Sequence, residues 1–149
     1  MERLETIKKA LDDAEAQYKL LYHEAPILSV EEGKKHFPPE QIAYTLVITV
    51  DGVYHALIVA GERGRVDFAA LKQALGCQKA KLADAAQVLD RTGFSVGNMP
   101  LVGLPLPYLM DQRLAGQRVV CGGSGDESHT LQIAVEDLVR GICPTWVSF

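Results

Sequence analysis

The stretch IAYTLVITVDGVYHALIVA, residues 42–60, decides the fold. Its two halves, 42–50 and 53–60, are rich in β-branched and aromatic residues, which favour extended strands. Between them lies Asp51-Gly52, a dipeptide that readily adopts the positive φ angles of a tight hairpin turn. The stretch therefore predicts an antiparallel β-hairpin at the centre of a sheet.

Side chains of the first strand alternate between two faces. Because the period is two, one face carries Ile42, Tyr44, Leu46, Ile48 and Val50. Tyr44 is the member of this face with a side-chain hydrogen-bonding group. Its ring is predicted either to fill the core or to form the floor of a cleft, with the hydroxyl turned toward a ligand.

The segments around the hairpin alternate between helical and extended patterns. Apolar residues at three- and four-residue steps predict an amphipathic helix over residues 2–17. Asp67 and Asp84 carry acceptor side chains that cap helix N-termini, and Gly76 is suited to end the first of these helices. The further predictions are a helix from Ser29 to about His36, helices over 67–75 and 135–141, strands over 18–23, 79–82, 106–110, 117–121 and 129–133, and a structured loop over 92–107.

This order of segments predicts one α/β domain over residues 1–149. A chain of 149 residues, 48% of them hydrophobic, has enough apolar surface for one core. Helices interleaved with strands, including an antiparallel hairpin, imply a mixed sheet flanked by helices. The sequence shows neither a secretory signal nor an apolar run of the roughly 18 residues that a membrane span needs. We therefore expect a cytoplasmic protein with no membrane partner.

Charge and metal-binding residue types limit the function. A formal net charge of −4 disfavours a long phosphate-tracking groove, so DNA is not an expected partner, whereas contact with one nucleic-acid end is compatible. Cys77, Cys121 and Cys143 are odd in number and far apart, which argues against disulfides and a zinc site. The four histidines lack the spacing of paired metal ligands. We expect no metal and no cofactor.

Two polar groupings remain as candidates. Residues 122–125, Gly-Gly-Ser-Gly, follow a predicted strand, but their spacing fits no phosphate-binding motif and favours a plain connection. Ser124 does not lie in a nucleophile elbow, which disfavours a serine hydrolase built from Ser124 and His129. His23 and His129 lie at strand ends, where functional polar groups often collect. These patterns alone indicate an α/β domain of unknown activity.

Six short motifs, in order, extend this interpretation. They are His23-Glu24-Ala25-Pro26 (H-x-x-P), Ala43-Tyr44-Thr45-Leu46-Val47 (A-K-T-L-V), the run from Val66 to Asp84, Thr92-Gly93-Phe94-Ser95-Val96-Gly97 (T-G-F-x-x-G), its continuation Asn98-Met99-Pro100-Leu101-Val102-Gly103, and Met110-Asp111-Gln112-Arg113-Leu114 (hydrophobic-D-x-x-L). In this order they resemble the YbaK-type family of freestanding aminoacyl-tRNA editing deacylases, related to the editing domain of prolyl-tRNA synthetase.

The resemblance implies a fold, a reaction and a set of site residues. The fold would be a mixed, barrel-like sheet with a cleft for the 3′ end of a misacylated tRNA, whose aminoacyl ester is hydrolysed without metal. An aminoacyl-tRNA synthetase is a further implied partner. By position in the family motifs, Tyr44 and Gly97 would be catalytic. The implied substrate-binding residues are His23, Asn98, Met99, Pro100, Leu101, Gly103, Gly122, Gly123 and Ser124.

Two departures from the family pattern leave two functions open. Tyr44 replaces the family's strand lysine, and Leu101 replaces the proline that closes the loop motif. A phenol with a pKa near 10 is neutral at pH 7, so Tyr44 can donate a hydrogen bond but supplies no positive charge. The first hypothesis is a divergent aminoacyl-tRNA deacylase. The alternative is an inactive relative that binds aminoacyl-tRNA ends or a small molecule.

Overall fold

The computed structural model describes residues 2–27, 29–96 and 99–149. Helices and strands are interleaved throughout this part of the chain, as the sequence predicts. The strands are β1 (Tyr18–Tyr22), β2 (Ala43–Val50), β3 (Val53–Ala60), β4 (Ala80–Leu82), β5 (Tyr108–Asp111), β6 (Val119–Gly123), β7 (His129–Ala134) and β8 (Thr145–Val147). The α-helices are α1 (Glu2–Asp13), α2 (Val30–Gly33), α3 (Phe68–Leu75), α4 (Ala85–Thr92) and α5 (Val135–Ile142).

The predicted hairpin is confirmed. Strands β2 and β3 pair antiparallel from Ala43 opposite Ala60 to Val50 opposite Val53. The turn between them has φ angles of 48° at Asp51 and 82° at Gly52, the positive values that this dipeptide tolerates. The Asp51 carboxylate also accepts the backbone N–H groups of residues 78 and 79, which brings β4 beside β2.

The hairpin lies at the centre of a five-stranded mixed sheet in the order β4-β2-β3-β5-β8. Strand β2 pairs antiparallel with both β4 and β3, whereas β5 is parallel to both β3 and β8. The sequence did not predict β8, because three residues are too few to show a period. Its edge position next to Leu109–Asp111 depends on pairing with a distant strand.

A second, antiparallel sheet has the order β1-β7-β6. The two sheets meet where Ile42, just before β2, forms a parallel bridge with Cys121 of β6. The single barrel-like sheet implied by the family resemblance is therefore divided in two at this junction. The α/β class and the mixed central sheet are as predicted.

Each face of the hairpin packs against its own hydrophobic cluster. Ala43, Val47 and Ile58 belong to a large cluster shared with the three-stranded sheet. On the other face, Tyr44 and Ile48 pack with a smaller cluster under α3 and β8. Strand parity predicted this division, and it sets the direction of every β2 side chain near the cleft described below.

The predicted caps fix the helix ends. Side chains of Asp67 and Asp84 accept N–H groups at the starts of α3 and α4, and Gly76 ends α3 in the left-handed conformation. Helix α1 is shorter than the predicted 2–17. It ends at Asp13, because Glu15 turns to a φ of 55°.

A buried ion pair lies at the end of β5. The Arg63 guanidinium bonds both carboxylate oxygens of Asp111, at 2.8 and 3.1 Å, and Asp111 is fully buried. Burial alone would raise the pKa of Asp111, but the hydrogen bonds from Arg63 and from two backbone N–H groups hold it below its usual value. The ring of Phe149 covers the guanidinium at 3.7 Å.

Candidate functional site

A cleft of about 320 Å³ opens between β2, α2 and the three-stranded sheet. Ile42 and Cys121, the two residues of the bridge between the sheets, both line it. Its described lining consists of Ile27, Ser29, Val30, Gly33, Phe37, Ile42, Ala43, Tyr44, Thr45, Leu46, Val96, Met99, Cys121, Gly122, Gly123, Asp126, His129 and Thr130. This lining is mainly apolar with a few polar groups, which is typical of ligand sites.

The edge of β2 over residues 43–46, with Ile42 just before it, faces the cleft. The Ile42 carbonyl accepts from Gly61 on the β3 side, whereas the Val47 carbonyl accepts from Ala83 on the opposite side. Backbone groups alternate in direction along a strand, so the N–H and C=O of Thr45 are directed away from β3 and toward the cleft. Strand β4 pairs with β2 only over residues 48–50. This edge therefore offers backbone hydrogen-bonding groups to a ligand.

The Thr45 side chain adds a second polar group at the same point. Thr45 is only 4% exposed, and its Oγ1 has no hydrogen-bond partner. A buried hydroxyl without a partner costs about 1–3 kcal/mol, so it calls for an explanation. The sequence-based site prediction missed Thr45. The sequence feature that could have identified Thr45 is a hydroxyl-bearing residue within a predicted strand of mainly apolar residues.

Tyr44, predicted to be catalytic, lines the cleft, but its hydroxyl has a protein partner. It donates to the carbonyl oxygen of Gly64 over 3.1 Å. The ring packs with the smaller cluster, on the opposite face of β2 from Thr45. Burial raises the pKa of Tyr44, against a lowering effect of the nearby Arg63, so the phenol is neutral at pH 7.

The loop after Val96 contributes one described residue to the cleft, Met99. Leu101 is fully buried and its N–H donates to the carbonyl oxygen of Gly123 over 2.9 Å, which ties the loop to β6. Pro100, Leu101 and Gly103 were predicted to bind substrate, but the structure places them outside the cleft lining. Gly97 and Asn98 lie outside the described residues.

Gly122 and Gly123, predicted to bind substrate, line the cleft. They also allow the loop to approach β6 closely. A Cβ atom on Gly123 would lie 1.9 Å from the Met99 carbonyl oxygen, and one on Gly122 would lie 2.7 Å from the Ala43 carbonyl oxygen and 2.8 Å from the Leu101 side chain. Glycine is required here because backbone occupies the space of a side chain.

Ser124, predicted to bind substrate, is used by its own turn. Its hydroxyl donates to the carbonyl oxygen of His129 over 2.8 Å and accepts the Asp126 N–H. The side chain is almost completely buried and does not line the cleft. No pairing with the His129 ring is present, which removes the nucleophile–base contact that a serine hydrolase needs.

His23 lies next to the cleft through Thr130. Its Nδ1 is 2.8 Å from the Ala25 carbonyl oxygen, which can only accept, so Nδ1 carries the proton. In the neutral ring Nε2 is then an acceptor for the Thr130 hydroxyl, 3.0 Å away. Thr130 lines the cleft and was missed by the sequence analysis. Thr130 faces the cleft because β7 pairs with β6, and the sequence of β7 alone does not show this pairing.

His129 and Asp126 form the polar wall of the cleft. Their closest atoms, Nδ1 and Oδ1, are 3.5 Å apart, outside hydrogen-bond geometry, and the buried Nδ1 has no other partner. Hydrogen bonding from the Ser128 N–H lowers the pKa of Asp126, with a smaller contribution from His129. Asp126 is therefore ionised at neutral pH, and it is the one carboxylate in the described lining.

In the described ranges, no group of three or more His, Cys, Asp or Glu residues is arranged to hold a metal ion. No helix among the described residues is both long and apolar enough to cross a membrane. The described cleft lining also contains neither lysine nor arginine.

Comparison with solved structures supports this fold. A protein proposed to be a trans-editing enzyme for prolyl-tRNA synthetase superposes with a TM-score of 0.85 at 21% identity, over 99% of this chain and 96% of that one. A hypothetical protein of known structure gives a TM-score of 0.84 at 24% identity, over 95% and 96%. At these identities the likeness concerns the fold.

Sequence comparison identifies the family. Proline–tRNA ligase of Desulfovibrio desulfuricans is 34% identical over 109 residues, and that of Desulfotalea psychrophila is 30% identical over 99 residues. These matches cover 72% and 66% of this chain but only 18% and 17% of the ligases, so the chain corresponds to a fraction of those proteins.

The sequence profile of the aminoacyl-tRNA editing domain matches residues 24–140. That range contains every described residue that lines the cleft. It also contains five of the six motifs that suggested the resemblance and most of the sixth, so the predicted family is confirmed. The chain belongs to the aminoacyl-tRNA editing domain family.

Proposed function

We propose that this domain hydrolyses, in trans, the aminoacyl ester at the 3′ end of a misacylated tRNA. The observation that carries the proposal is the location of two atoms. Thr45 Oγ1 and His129 Nδ1 are the buried side-chain polar atoms without a hydrogen-bond partner among the described residues, and both residues line the same cleft. Because buried polar groups are normally paired, a ligand in the cleft is the natural partner for both.

The charge of the cleft matches an aminoacyl group. An aminoacyl ester carries a cationic α-ammonium, and the ionised Asp126 is the carboxylate placed to pair with it. The described lining lacks the cations that would recognise phosphates. The proposed orientation therefore puts the aminoacyl end in the cleft and leaves the nucleotide phosphates outside.

Hydrolysis needs a group that stabilises the oxyanion. Water attacks the ester carbonyl and the carbonyl oxygen becomes negative. When the carbonyl re-forms, the bond to the ribose oxygen breaks, and that oxygen takes up the proton released by the attacking water, which gives the free amino acid and the terminal ribose hydroxyl. The N–H of Thr45, on the open edge of β2, is the backbone donor we assign to this oxygen. One such donor contributes about 3 kcal/mol in related chemistry. His129 and Thr130 lie on the same wall and are assigned to hold the attacking water or the ribose hydroxyls.

Two features favour the alternative of a binding module. The Tyr44 hydroxyl, where the family has a lysine, is already bonded to Gly64, and the described lining has no cation in its place. A cleft of this kind could hold an aminoacylated end without accelerating its hydrolysis.

The relatives also support a partner, since the matched ligases are prolyl-tRNA synthetases. We propose that the domain acts on tRNA charged by such a synthetase.

The test is a panel of tRNAs, each charged with a non-cognate amino acid, incubated with the purified protein. We expect the wild-type protein to hydrolyse at least one ester well above its spontaneous rate. The His129→Ala variant should hydrolyse that ester at least tenfold more slowly than wild type. A chelator should leave the wild-type rate unchanged. Binding of non-hydrolysable aminoacyl-adenosine amides is measured in parallel. Binding without hydrolysis would establish the alternative. Absence of both would overturn the proposal.

A further inference from the structure

Helix α1 lies outside the range that the family profile matches, because that range begins at residue 24. The helix nevertheless belongs to the core. Its buried stripe, each member of which is at most 5% exposed, consists of Leu4, Ile7 and Leu11. Ile7 and Leu11 are part of the same hydrophobic cluster as Met99, the described residue of the loop after Val96 that lines the cleft. The packing of α1 therefore continues up to this loop.

The contact between α1 and the loop is made at Gly103. The φ angle of Gly103 is 86°, in the left-handed region that favours glycine. A Cβ atom on Gly103 would lie 2.9 Å from Cδ1 of Ile7. The Ile7 side chain thus occupies the space that a side chain at position 103 would need. The family motif assigns Gly103 to substrate binding, whereas its close approach is to α1.

Two hydrogen bonds hold the loop on either side of Gly103. The Leu101 N–H donates to the carbonyl oxygen of Gly123 over 2.9 Å, and the Leu104 N–H donates to the Tyr108 hydroxyl over 3.3 Å. Between these two anchors, glycine has more backbone freedom than any other residue type would have. The contact with α1 restricts the loop at this point.

The end of α1 is itself fastened to α5. The Asp137 carboxylate accepts the backbone N–H of Gln17 over 2.8 Å, and the Arg140 guanidinium donates to the Ala14 carbonyl oxygen over 3.2 Å. Asp137 and Arg140 also form an ion pair with a distance of 2.8 Å. These contacts fix where α1 lies, so Ile7 meets the loop from a defined position.

We propose that Ile7 is a positioning residue of the ligand site, which acts through Gly103 to hold the loop, and with it Met99, against β6. This inference rests on the proposed function and adds to the site a residue outside the matched family range. Met99 is only 6% exposed, so a displacement of the loop changes the shape of the wall that a ligand meets. A site whose supporting residues are loose binds less tightly although each contact residue is present.

The variant that tests this role is Ile7→Val. Valine lacks Cδ1, the atom that lies nearest to the Gly103 position, and keeps the rest of the side chain. The matched control is Ile48→Val, because Ile48 is comparably buried but belongs to the smaller cluster on the other face of β2. Both substitutions remove the same group from a packed core, so their thermal unfolding should change by similar amounts.

The first measurement follows the loop itself. Met99 is one of three methionines, so NMR of protein with isotope-labelled methionine methyl groups gives few signals, and Met99→Leu identifies the one from Met99. We expect Ile7→Val to shift or broaden the Met99 signal. Ile48→Val should leave this signal at its wild-type position.

The second measurement follows the ligand. The probe is the aminoacyl-adenosine amide that binds wild type most tightly in the panel described above. Deleting one buried methyl group changes an equilibrium by about two- to tenfold, and we expect Ile7→Val to bind the amide about threefold more weakly than wild type. Ile48→Val should bind it like wild type.

The outcomes separate the two proposals. An unchanged Met99 signal in folded Ile7→Val would overturn the inference whatever the ligand does. Equal amide affinities of Ile7→Val and Ile48→Val would also overturn it, since the position of the deleted group would then not matter. If wild type binds no amide and hydrolyses no misacylated tRNA, the proposed function fails and the positioning role fails with it. A changed Met99 signal together with weaker binding in Ile7→Val alone supports both.

Discussion

The Thr130 hydroxyl lies 3.0 Å from Nε2 of His23, a residue 107 positions away in the sequence. The contact joins β7 to the segment that follows β1, where the Ala25 carbonyl fixes the His23 tautomer. The hydroxyl proton is directed to His23, which leaves the oxygen lone pairs of Thr130 available on the cleft side. The pair thus prepares Thr130 to accept a hydrogen bond from a ligand.

Thr130→Val should weaken ligand binding without unfolding the domain. The substitution keeps the branched shape and removes one hydrogen bond, which contributes about 0.5–1.5 kcal/mol. Because about 1.4 kcal/mol of binding free energy corresponds to a tenfold change in affinity, we expect a two- to tenfold loss of affinity for a non-hydrolysable aminoacyl-adenosine amide. Thr130→Ser keeps the hydroxyl and is the matched control. Equal affinity of wild type and folded Thr130→Val would remove Thr130 from the site.

Gly123→Ala should destabilise the domain because its methyl group would meet backbone. The new Cβ would lie 1.9 Å from the Met99 carbonyl oxygen, so the loop and β6 must separate. That movement also strains the Leu101–Gly123 hydrogen bond. We expect a loss of about 1–3 kcal/mol in the free energy of unfolding, the usual range for overpacking.

The control for this variant is Gly141→Ala. Gly141 lies in α5, and apart from its chain neighbours and the backbone of its own helix no atom lies within 4 Å of the position of its Cβ. Alanine should therefore stabilise the helix by up to about 1 kcal/mol. Urea unfolding of both variants compares the same substitution in a crowded and an open position. Equal stability of Gly123→Ala and wild type would mean that the loop does not approach β6 as described.

The sequence predicted what depends on local chemistry. The turn at Asp51-Gly52, the caps at Asp67 and Asp84 and the alternation along β2 follow from neighbouring residues, and the structure bears them out. The loop motif further led to Met99, and the Gly-Gly-Ser-Gly run led to Gly122 and Gly123; all three line the cleft, although their proposed roles remain to be tested.

The rest of the site depends on distant contacts. Thr45 and Thr130 face one cleft because the two sheets meet at the Ile42–Cys121 bridge, which no local pattern encodes. The hydroxyl of Ser124 gave a plausible ligand group in the sequence, but its turn uses that hydroxyl. Side-chain type indicates which groups could bind, and only packing determines which of them are free to do so.

Asp111→Asn should destabilise the domain most at neutral pH. The folded-state pKa of Asp111 lies below its unfolded value, about 3.9. The ionised carboxylate therefore stabilises the folded domain at pH values above the unfolded pKa, and this stabilisation is lost as pH falls through the folded pKa. At pH 7 the variant leaves the buried Arg63 without its carboxylate, which costs about 3 kcal/mol. Urea unfolding at pH 7 and pH 3 measures this. The difference in the free energy of unfolding between wild type and variant should be smaller at pH 3 than at pH 7. An equal difference at both pH values would mean that folding does not lower the pKa of Asp111.

Tyr44 remains the residue on which sequence and geometry differ most. The family motif predicts a catalytic role, whereas the structure bonds its hydroxyl to Gly64 and packs its ring in the smaller cluster. Tyr44→Phe removes that bond alone. Because the hydroxyl already has a protein partner, we expect Tyr44→Phe to lose up to about 1 kcal/mol of stability and to bind the aminoacyl amides like wild type.

Tyr44→Lys decides between the two interpretations. If position 44 serves the reaction, the restored ammonium should raise deacylation. The geometry favours the opposite result, because the lysine replaces a half-buried ring near the Arg63 guanidinium, and a desolvated cation beside a like charge is costly. We therefore expect a lower melting temperature and no gain in deacylation. Faster deacylation by a stable Tyr44→Lys protein would instead establish position 44 as part of the catalytic site.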